Sequence, residues 1–281
     1  MRQQPLVVVK CGGNADVDAE AVCGDVAGLI RSGVEIVLVH GGSAEIERLA
    51  TELDVPQRTH TSPDGVSTRR TDERTLEVLT LALAGSVKPK LVRRLARHGV
   101  RAVGMTGLDG LLLRARRKRA QRAVVDGRTV LVRDNLSGIL ESVNDELLRD
   151  LLDRRLLPVV SPPAITDTGE ALNVDADRVA AAIAVALRAD TLVLLTGAPG
   201  VQADPDDDST MLSVCEVSPD GSPASWARGG MAMKLIAARE ALLGGVAQVM
   251  VADGRRSEPV RRALASRGTR VVLRPHAARA A

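Results

Sequence analysis

The sequence predicts an α/β protein: a three-layer αβα sandwich around a mainly parallel central sheet. Three observations carry that expectation. Short β-branched and aliphatic runs alternate with amphipathic helical stretches along nearly the whole chain. Glycine turns, Gly12-Gly13 and Gly41-Gly42, follow the first two of those runs. The 281 residues are 45% hydrophobic and 26% charged, which suits a folded globule with a sizeable core.

Taken in order, residues 6–9 read as a buried strand, 18–32 as an amphipathic helix, 35–39 as the next strand and 44–53 as a second helix, the rhythm of parallel strands with crossover helices. Residues 71–98 form a long helical stretch that Gly85 and Pro89 interrupt, giving two helices or one kinked helix. A strand follows at 101–104. Residues 111–118, 123–125, 129–132 and 139–143 are short and partly alternating, separated by Asp-Gly at 126–127 and Ser-Gly at 137–138, and they predict a β-hairpin insertion over 111–143. Helix 145–155, strand 157–161, a loop at Pro162-Pro163, helix 176–187 and strand 191–195 restore the alternation. Helix 231–243, strand 247–251, helix 258–266 and strand 269–273 complete it. No internal repeat or low-complexity linker intervenes, so one continuous structural domain is expected.

Composition narrows the function classes. Phe and Tyr are absent and Trp226 is the single aromatic, so Leu, Val, Ile, Ala and Met must fill the core. That also removes the stacking platforms a single-stranded nucleic-acid binder uses. Cys11, Cys23 and Cys215 are odd in number and lack Cys-x-x-Cys spacing, which argues against a disulfide framework or structural zinc, and no protein-held metal is expected. The four-residue apolar run after Met1-Arg-Gln-Gln-Pro is short for a signal peptide, and no stretch reaches about 18 apolar residues. A cytoplasmic protein with no membrane partner is the expectation. Net charge is +3, but between Lys88 and Arg122 twelve Lys or Arg residues face the single acid Asp109, leaving that segment near +11 and the rest near −8. The asymmetry suggests an acidic partner; a solvated arginine-rich face is the plainer alternative.

Three segments carry chemistry: Lys10-Cys-Gly-Gly13, Asn173-Val-Asp-Ala-Asp177 and Gly229-Gly-Met-Ala-Met-Lys234. Phosphoryl transfer needs little covalent help and much fixed positive charge, so two lysines organised by one carboxylate form a catalytic set. Lys10 lies just past the first strand, and Gly12-Gly13 there let backbone amides approach an anion. His40-Gly41-Gly42-Ser43 repeats the arrangement one strand on, with Ser43 fit to cap the next helix. His40 reads as a packed or hydrogen-bonded residue and takes no catalytic role. Asn173 and Asp177, four apart at a helix start, point to one face, with Asp175 turned elsewhere as a cap. Gly229-Gly230 begin a helix whose positive end and Lys234 would act on the same phosphate oxygens. The run from Leu195 through Thr196, Gly197 and Gly200 to Val201 follows a strand and fits a nucleotide-lining loop. Gly-x-x-x-x-Gly-Lys-Ser/Thr, Gly-x-Gly-x-x-Gly after a strand, and Asp-Phe-Gly are all missing, so any ATP is held in another way. The chain therefore divides into an acceptor-substrate lobe, residues 1–157, and a nucleotide-binding lobe, 158–281.

In the order Lys10-x-Gly-Gly, His40-Gly-Gly, Asn173-x-x-x-Asp177, Leu-Thr-Gly-Ala-Pro-Gly-Val and Gly229-Gly-Met-x-x-Lys234, these motifs resemble the amino acid kinase family, specifically its acetylglutamate kinase-like branch, from Val7 to about Val272. Within the branch the chain is most similar to kinases acting on an amino acid joined to an amino-group carrier protein, the LysW-aminoadipate and LysW-glutamate kinases. Ser43 where acetylglutamate kinases usually carry a third glycine, Gly-Leu-Asp-Gly at 107–110, Arg-Arg-Lys at 116–118, Val-Arg-Asp at 132–134, Ser-Gly-Ile-Leu-Glu-Ser-Val-Asn at 137–144 and Ala-Asp-Gly-Arg at 252–255 carry that likeness.

The resemblance implies that Lys10 and Lys234 stabilise the transferring phosphoryl group and Asp177 orients them. It implies acceptor binding by Gly41, Gly42, Asn173 and Arg69, with Arg70 one register step away as the alternative. Gly12, Gly13, Thr196, Gly197, Gly200, Val201, Gly230 and Met231 would line the phosphate and nucleotide path, with Mg²⁺ arriving on ATP. The reaction implied is ATP-dependent phosphorylation of a side-chain carboxylate to an acyl phosphate. Arg114, Arg116, Arg117, Lys118, Arg119 and Arg122 would meet the small acidic carrier, since long-range attraction speeds encounter. A homodimer is also implied. Cys11 departs from the usual aliphatic residue and reads as a small apolar replacement or a modifiable thiol. Two other readings stand beside this one: a kinase for free acetylglutamate, and a non-catalytic sensor or nucleic-acid-binding relative of the fold.

Overall fold

β1 (Leu6–Cys11) is buried along its whole length, as befits a strand covered on both faces. The computed structural model describes residues 4–13, 17–61, 67–118, 121–125, 128–132, 134–220 and 229–275, with the backbone alone for 67, 121–125 and 128–131. From β1 the chain runs through α1 (Ala19–Arg31), β2 (Glu35–His40), α2 (Ser43–Glu52), β3 (Arg58–Thr61) and β4 (Ser67–Arg70) to α3 (Glu73–Thr80). A π-helical stretch, Leu81–Val87, joins α3 to α4 (Lys88–Arg97). Next come β5 (Ala102–Thr106), β6 (Leu113–Arg117), β7 (Gln121–Val125), β8 (Arg128–Val132) and β9 (Gly138–Val143). α5 (Asp145–Asp153), β10 (Leu157–Ser161), β11 (Ala164–Ile165), β12 (Ala171–Leu172), α6 (Ala176–Leu187), β13 (Thr191–Thr196) and β14 (Val214–Val217) follow. α7 (Gly229–Leu243), β15 (Gln248–Asp253), α8 (Pro259–Leu264) and β16 (Thr269–Leu273) end the described chain.

Eight strands form the central sheet in the order β14-β16-β15-β13-β1-β2-β10-β5. Every neighbouring pair is parallel except β15 with β16. Side-chain alternation sorts the core into two layers. Leu6, Val8, Val37, Val39, Leu192 and Leu194 pack against Val179 and Ile183 of α6 and Ala237 and Ala238 of α7. Val7, Val9, Ile36, Leu38 and Val193 pack on the other face against Val22 and Val26 of α1, Leu91 and Leu95 of α4 and Val260 of α8. The expected three-layer sandwich is present, and its aliphatic core needs no aromatic ring because small faces, Ala180, Ala181 and Ala184 on α6 and Ala237, Ala238 and Ala241 on α7, let helices approach closely.

Two expectations change. Residues 111–143 do not form one hairpin insertion. Leu112, Leu113 and Ala115 are buried in the α6-side core, so β6 stays on the body, antiparallel to β9 and beside β11 and β12. β7 and β8 pair with each other and instead join β3 and β4 in a separate four-stranded sheet. β3 and β4, Arg-Thr-His-Thr and Ser-Thr-Arg-Arg, carry no apolar alternation from which a strand would be read. The helical stretch 73–97 also runs on without a break. Pro89 falls in the first turn of α4, where its missing N–H is tolerated, and the wide π turn absorbs the change of register ahead of it.

Candidate active site

Asp177 sits in the first turn of α6, 5% exposed, because Asp175 caps that helix by accepting from the backbone N–H groups of Asp177 and Arg178 at 3.0 Å each. Its carboxylate meets both lysines. Lys10 Nζ lies 3.0 Å from Asp177 Oδ1, and Lys234 Nζ donates to Oδ1 at 3.0 Å and Oδ2 at 3.1 Å. Lys10 lies inside β1, not past its end, in register with Val39 of β2 and Leu194 of β13. Its stem therefore runs through the sheet's core before the ammonium reaches the carboxyl edge.

Burial and charge set the ionisation of this group. Burial works against the charged form of Asp177, but the two ammonium groups prevail and hold its carboxyl below the usual carboxylate range. Burial also pulls at Lys10, and the charges of Asp177 and Asp175 overcome it, leaving Lys10 raised. Lys234 is lowered, first by burial and then by the repulsion of Lys10, in spite of Asp177. Burial and the neighbouring Asp177 push Asp175 up. Two cations thus compete for one carboxylate, and a phosphate placed between them would hold both in the charged state.

The glycine turns pack backbone to backbone. A Cβ on Gly13 would lie 2.7 Å from Ser43 N and 2.8 Å from Gly41 C, and a Cβ on Gly12 would lie 3.2 Å from Leu195 O. Ala44 N–H donates to Gly13 O at 3.1 Å, and Gly41 N–H to Cys11 O at 3.4 Å, tying the ends of β1 and β2 together. A Cβ on Gly42 would strike Leu83 Cδ2 at 2.6 Å and Val87 Cγ2 at 3.1 Å, so the π turn is the wall behind this glycine. Cys11 is buried and its thiol is pushed up to about 11 by that burial, which rules out a reactive thiolate and leaves the small apolar replacement.

A cleft of about 410 Å³ opens beside the lysines. It gathers Gly41, Gly42, Arg69, Asn173, Asp177 and Gly230. Arg69 faces it while also reaching Gln57 and, at 3.7 Å, Glu47; Arg70 pairs with Asp134. Of the two adjacent arginines, Arg69 is the one that lines the cleft. Asn173 donates to Thr71 Oγ1 at 2.9 Å, which fixes its amide on the cleft wall. Lys118 also lines the cleft, so one residue expected on a carrier-facing surface stands at the acceptor's edge. Leu79, Leu83 and Met233 complete an apolar side, of which Leu79 and Leu83 lie outside every motif read from the sequence.

Beyond the cleft, Thr196 ends β13 and its carbonyl accepts from Gly254 N–H at 2.8 Å. Gly197 follows it, half-buried, and Met231 packs partly on the core near the start of α7. Gly200 leaves no room for a side chain, since a Cβ would meet Thr269 Oγ1 at 2.5 Å. Val201 is fully buried, its N–H donating to Thr269 Oγ1 at 2.8 Å and its carbonyl accepting from Leu212. Both of its backbone groups are thus engaged within the loop.

The basic run is compensated in space. Arg94 and Arg97 pair with Glu20, Lys90 with Glu45, Arg114 with Asp167, Arg116 with Glu141 and Arg117 with Glu170. Acids distant in sequence thus neutralise much of the charge that looked uncompensated. Arg119 lies outside the described residues, and Arg122 lies on β7, where the backbone alone is described. Among the described residues no helix is long and apolar enough to cross a membrane.

Two lysines on one buried carboxylate, at the edge of a parallel sheet and beside interlocked glycine turns, define a phosphoryl-transfer site. A profile of the amino acid kinase family matches residues 5–253. The chain belongs to the amino acid kinase family, and it is a kinase. It is 40% identical over 264 residues to the LysW-aminoadipate kinase of Deinococcus radiodurans, covering 94% of this chain and 90% of the relative. The LysW-aminoadipate kinase of Thermus thermophilus is also 40% identical, over 266 residues, 94% of this chain and 99% of the relative. An acetylglutamate kinase of Methanocella arvoryzae is 40% identical over 212 residues, 74% of this chain and 69% of the relative. The fold matches a Streptococcus mutans protein with a TM-score of 0.71 at 21% identity, covering 95% and 98% of the two chains. It also matches Giardia carbamate kinase at 0.65 and 15%, covering 97% and 100%.

Proposed function

We propose that the chain transfers the γ-phosphoryl group of ATP to the side-chain carboxylate of an acidic amino acid, of aminoadipate or glutamate type, held through its amino group on a small acidic carrier protein. The observation that carries this is the placement of the Lys10–Asp177–Lys234 group at one end of the cleft that Arg69, Asn173, Gly41 and Gly42 share. The extent of the likeness to the LysW-aminoadipate kinases supports the choice of acceptor.

Lys10 and Lys234 hold the oxygens of the transferring group, and Asp177 keeps the two ammonium groups at a fixed separation. One acceptor carboxylate oxygen forms the new P–O bond while the bond to the β-phosphate bridging oxygen breaks, so the products are an acyl phosphate and ADP. The interlocked turns let backbone N–H groups approach the phosphoryl path at Gly12-Gly13 and the acceptor at Gly41-Gly42. Thr196, Gly197, Gly200, Gly230 and Met231 belong to the nucleotide side, with Val201 beneath. The carboxylates nearest the lysines are engaged, Asp177 by ammonium groups and Asp175 by backbone N–H groups, so Mg²⁺ fits as a passenger of the nucleotide. The division into an acceptor half, 1–157, and a nucleotide half, 158–281, and a cytoplasmic homodimer belong to the same reading.

A second reading, a kinase for free acetylglutamate, is favoured by the ion pairs that already occupy Arg114, Arg116 and Arg117. Exposed pairs of this kind contribute roughly 0–1 kcal/mol and exchange readily for a partner's acids, so they do not displace the first reading. ADP release with ATP and Mg²⁺ distinguishes the two. Turnover confined to glutamate or aminoadipate joined to a carrier establishes the proposal and names the amino acid; turnover of free acetylglutamate replaces it.

A further inference from the structure

His40 is 1% exposed and has no place in the phosphoryl machinery, yet it ends the strand that delivers Gly41 and Gly42. Its Nδ1 lies 3.0 Å from the carbonyl oxygen of Gly41. A carbonyl only accepts, so Nδ1 must carry the proton. In a trans peptide the C=O of Gly41 and the N–H of Gly42 point in opposite directions, so holding one aims the other. The second ring nitrogen, Nε2, is buried and meets no hydrogen-bond partner. In the neutral ring that nitrogen is a lone pair, which calls for a donor on its far side.

Two donor-bearing residues lie near the ring without bonding to it. Ser161 ends β10, which pairs with β2 through Val160↔Val39, so it takes the register step beside His40; its buried hydroxyl also lacks a partner. Lys88, the first residue of α4, is 9% exposed, with its stem 2.9 Å from where a Cβ on Gly104 would lie, and its charge acts on His40. The preceding residue, Val87, walls Gly42. The junction of the π stretch and α4 thus touches the glycine turn through Val87 and bears on the histidine through the charge of Lys88.

We propose that His40 is a positioning residue for the acceptor: as the Nδ1–H tautomer, backed by Ser161 and Lys88, it locks the Gly41 carbonyl and so aims the Gly42 N–H into the acceptor cleft. This rests on the functional reading above only for the identity of the acceptor; the tautomer and the lock stand on the geometry alone. Protonation of Nε2 is opposed by burial and by the nearby charges of Lys88 and Lys10, which keeps the ring in the neutral form that the lock needs.

The test compares His40→Asn, whose side-chain amide nitrogen takes the place of Nδ1, with His40→Gln, whose amide reaches toward the position of Nε2. Both are assayed with ATP and carrier-bound aminoadipate or glutamate, after thermal melts. The Asn variant is expected to keep the wild-type KM for the acceptor. The Gln variant is expected to raise it roughly ten-fold, the size of one neutral hydrogen bond, with the KM for ATP unchanged. Nitrogen-15 NMR of the wild-type protein, which has 4 histidines to assign, should show Nδ1 protonated and Nε2 bare. An Nε2–H tautomer, or equal acceptor KM values in wild type and the Gln variant, overturns the proposal. If the wild type turns over no carrier-bound acceptor, the functional reading fails and the tautomer measured by NMR decides this inference by itself.

Discussion

Lys10 and Lys234 share a single oxygen: each ammonium lies 3.0 Å from Asp177 Oδ1, one carried by a strand on the sheet's midline and the other by the last long helix. Neither cation has a carboxylate to itself, and both are nearly buried. Two ammonium groups crowded on one carboxylate oxygen are poised to share an arriving anion, which is the condition that phosphoryl transfer requires.

Lys234→Ala should lower kcat by at least about a hundred-fold, the effect of removing one fixed donor from a transition state, while carrier affinity stays near wild type. Steady-state ADP release with calorimetric carrier titration measures both. Because Lys234 is lowered in the free protein by burial and by Lys10, the alkaline fall of kcat/KM should begin below the ordinary lysine pKa of about 10.4. Wild-type turnover in the Ala variant would remove Lys234 from the mechanism.

His40 predicts an acid weakness. Burial lowers its pKa to about 4, whereas in the unfolded chain it titrates near 6.5. Between those values the unfolded state takes up a proton that the folded state refuses, so stability falls as pH drops from about 6.5 to about 4 and then levels off. The full loss is about 3 kcal/mol. Urea unfolding of wild type and His40→Asn at pH 7, 5.5 and 4.5 should show a shallower decline in the variant.

Gly13→Ala should destabilise the chain and abolish turnover, because the new methyl would press on the backbone of Gly41 and Ser43, which has no free rotor to yield. Gly230→Ala makes the contrast, as nothing among the described residues lies within 4 Å of a Cβ there, and its melting temperature should match wild type. Equal melting temperatures for the two variants would show that the turns are looser than the packing indicates.

Cys11 should resist alkylation. With the thiol pushed up to about 11 and enclosed, iodoacetamide at pH 8 is expected to leave it unmodified in the native protein and to label it in urea. Mass spectrometry of the peptide carrying Lys10 and Cys11 reads the outcome.

Reversing charge at Arg116 and Arg117 should slow association with the acidic carrier several-fold at low ionic strength and little above about 0.5 M salt, where the Debye length falls to a few ångströms. Stopped-flow measurements across a salt series would show it. A loss equal at all salt concentrations would mean a contact role and not steering.

Much of this was legible in one dimension. The inner strands β1, β2, β10 and β13 read as strands because each is covered on both faces and so forms an apolar run, and Lys10, Asn173, Asp177 and Lys234 stood out because glycine or a helix start adjoins each of them. The π turn was not legible. Gly85 and Pro89 announce an interruption, but whether a helix breaks or widens depends on Leu83 and Val87 having Gly42 to pack against. Nor were β3 and β4, whose polar residues pair with a hairpin because backbone groups need partners, not because a face needs burial.

The sequence by itself determined the class of fold, the three segments that carry Lys10, Asp177 and Lys234, and the family, since each of these is written in local pattern and spacing. Only the tertiary structure decided that Lys10 and Lys234 meet on one carboxylate, that Arg69 and not Arg70 faces the cleft, and that the basic run is partly neutralised by Glu20, Glu45, Glu141, Asp167 and Glu170. The reason is range. Periodicity and turn chemistry act over a few residues, whereas charge pairing and burial act across whatever distance in sequence the fold brings into contact.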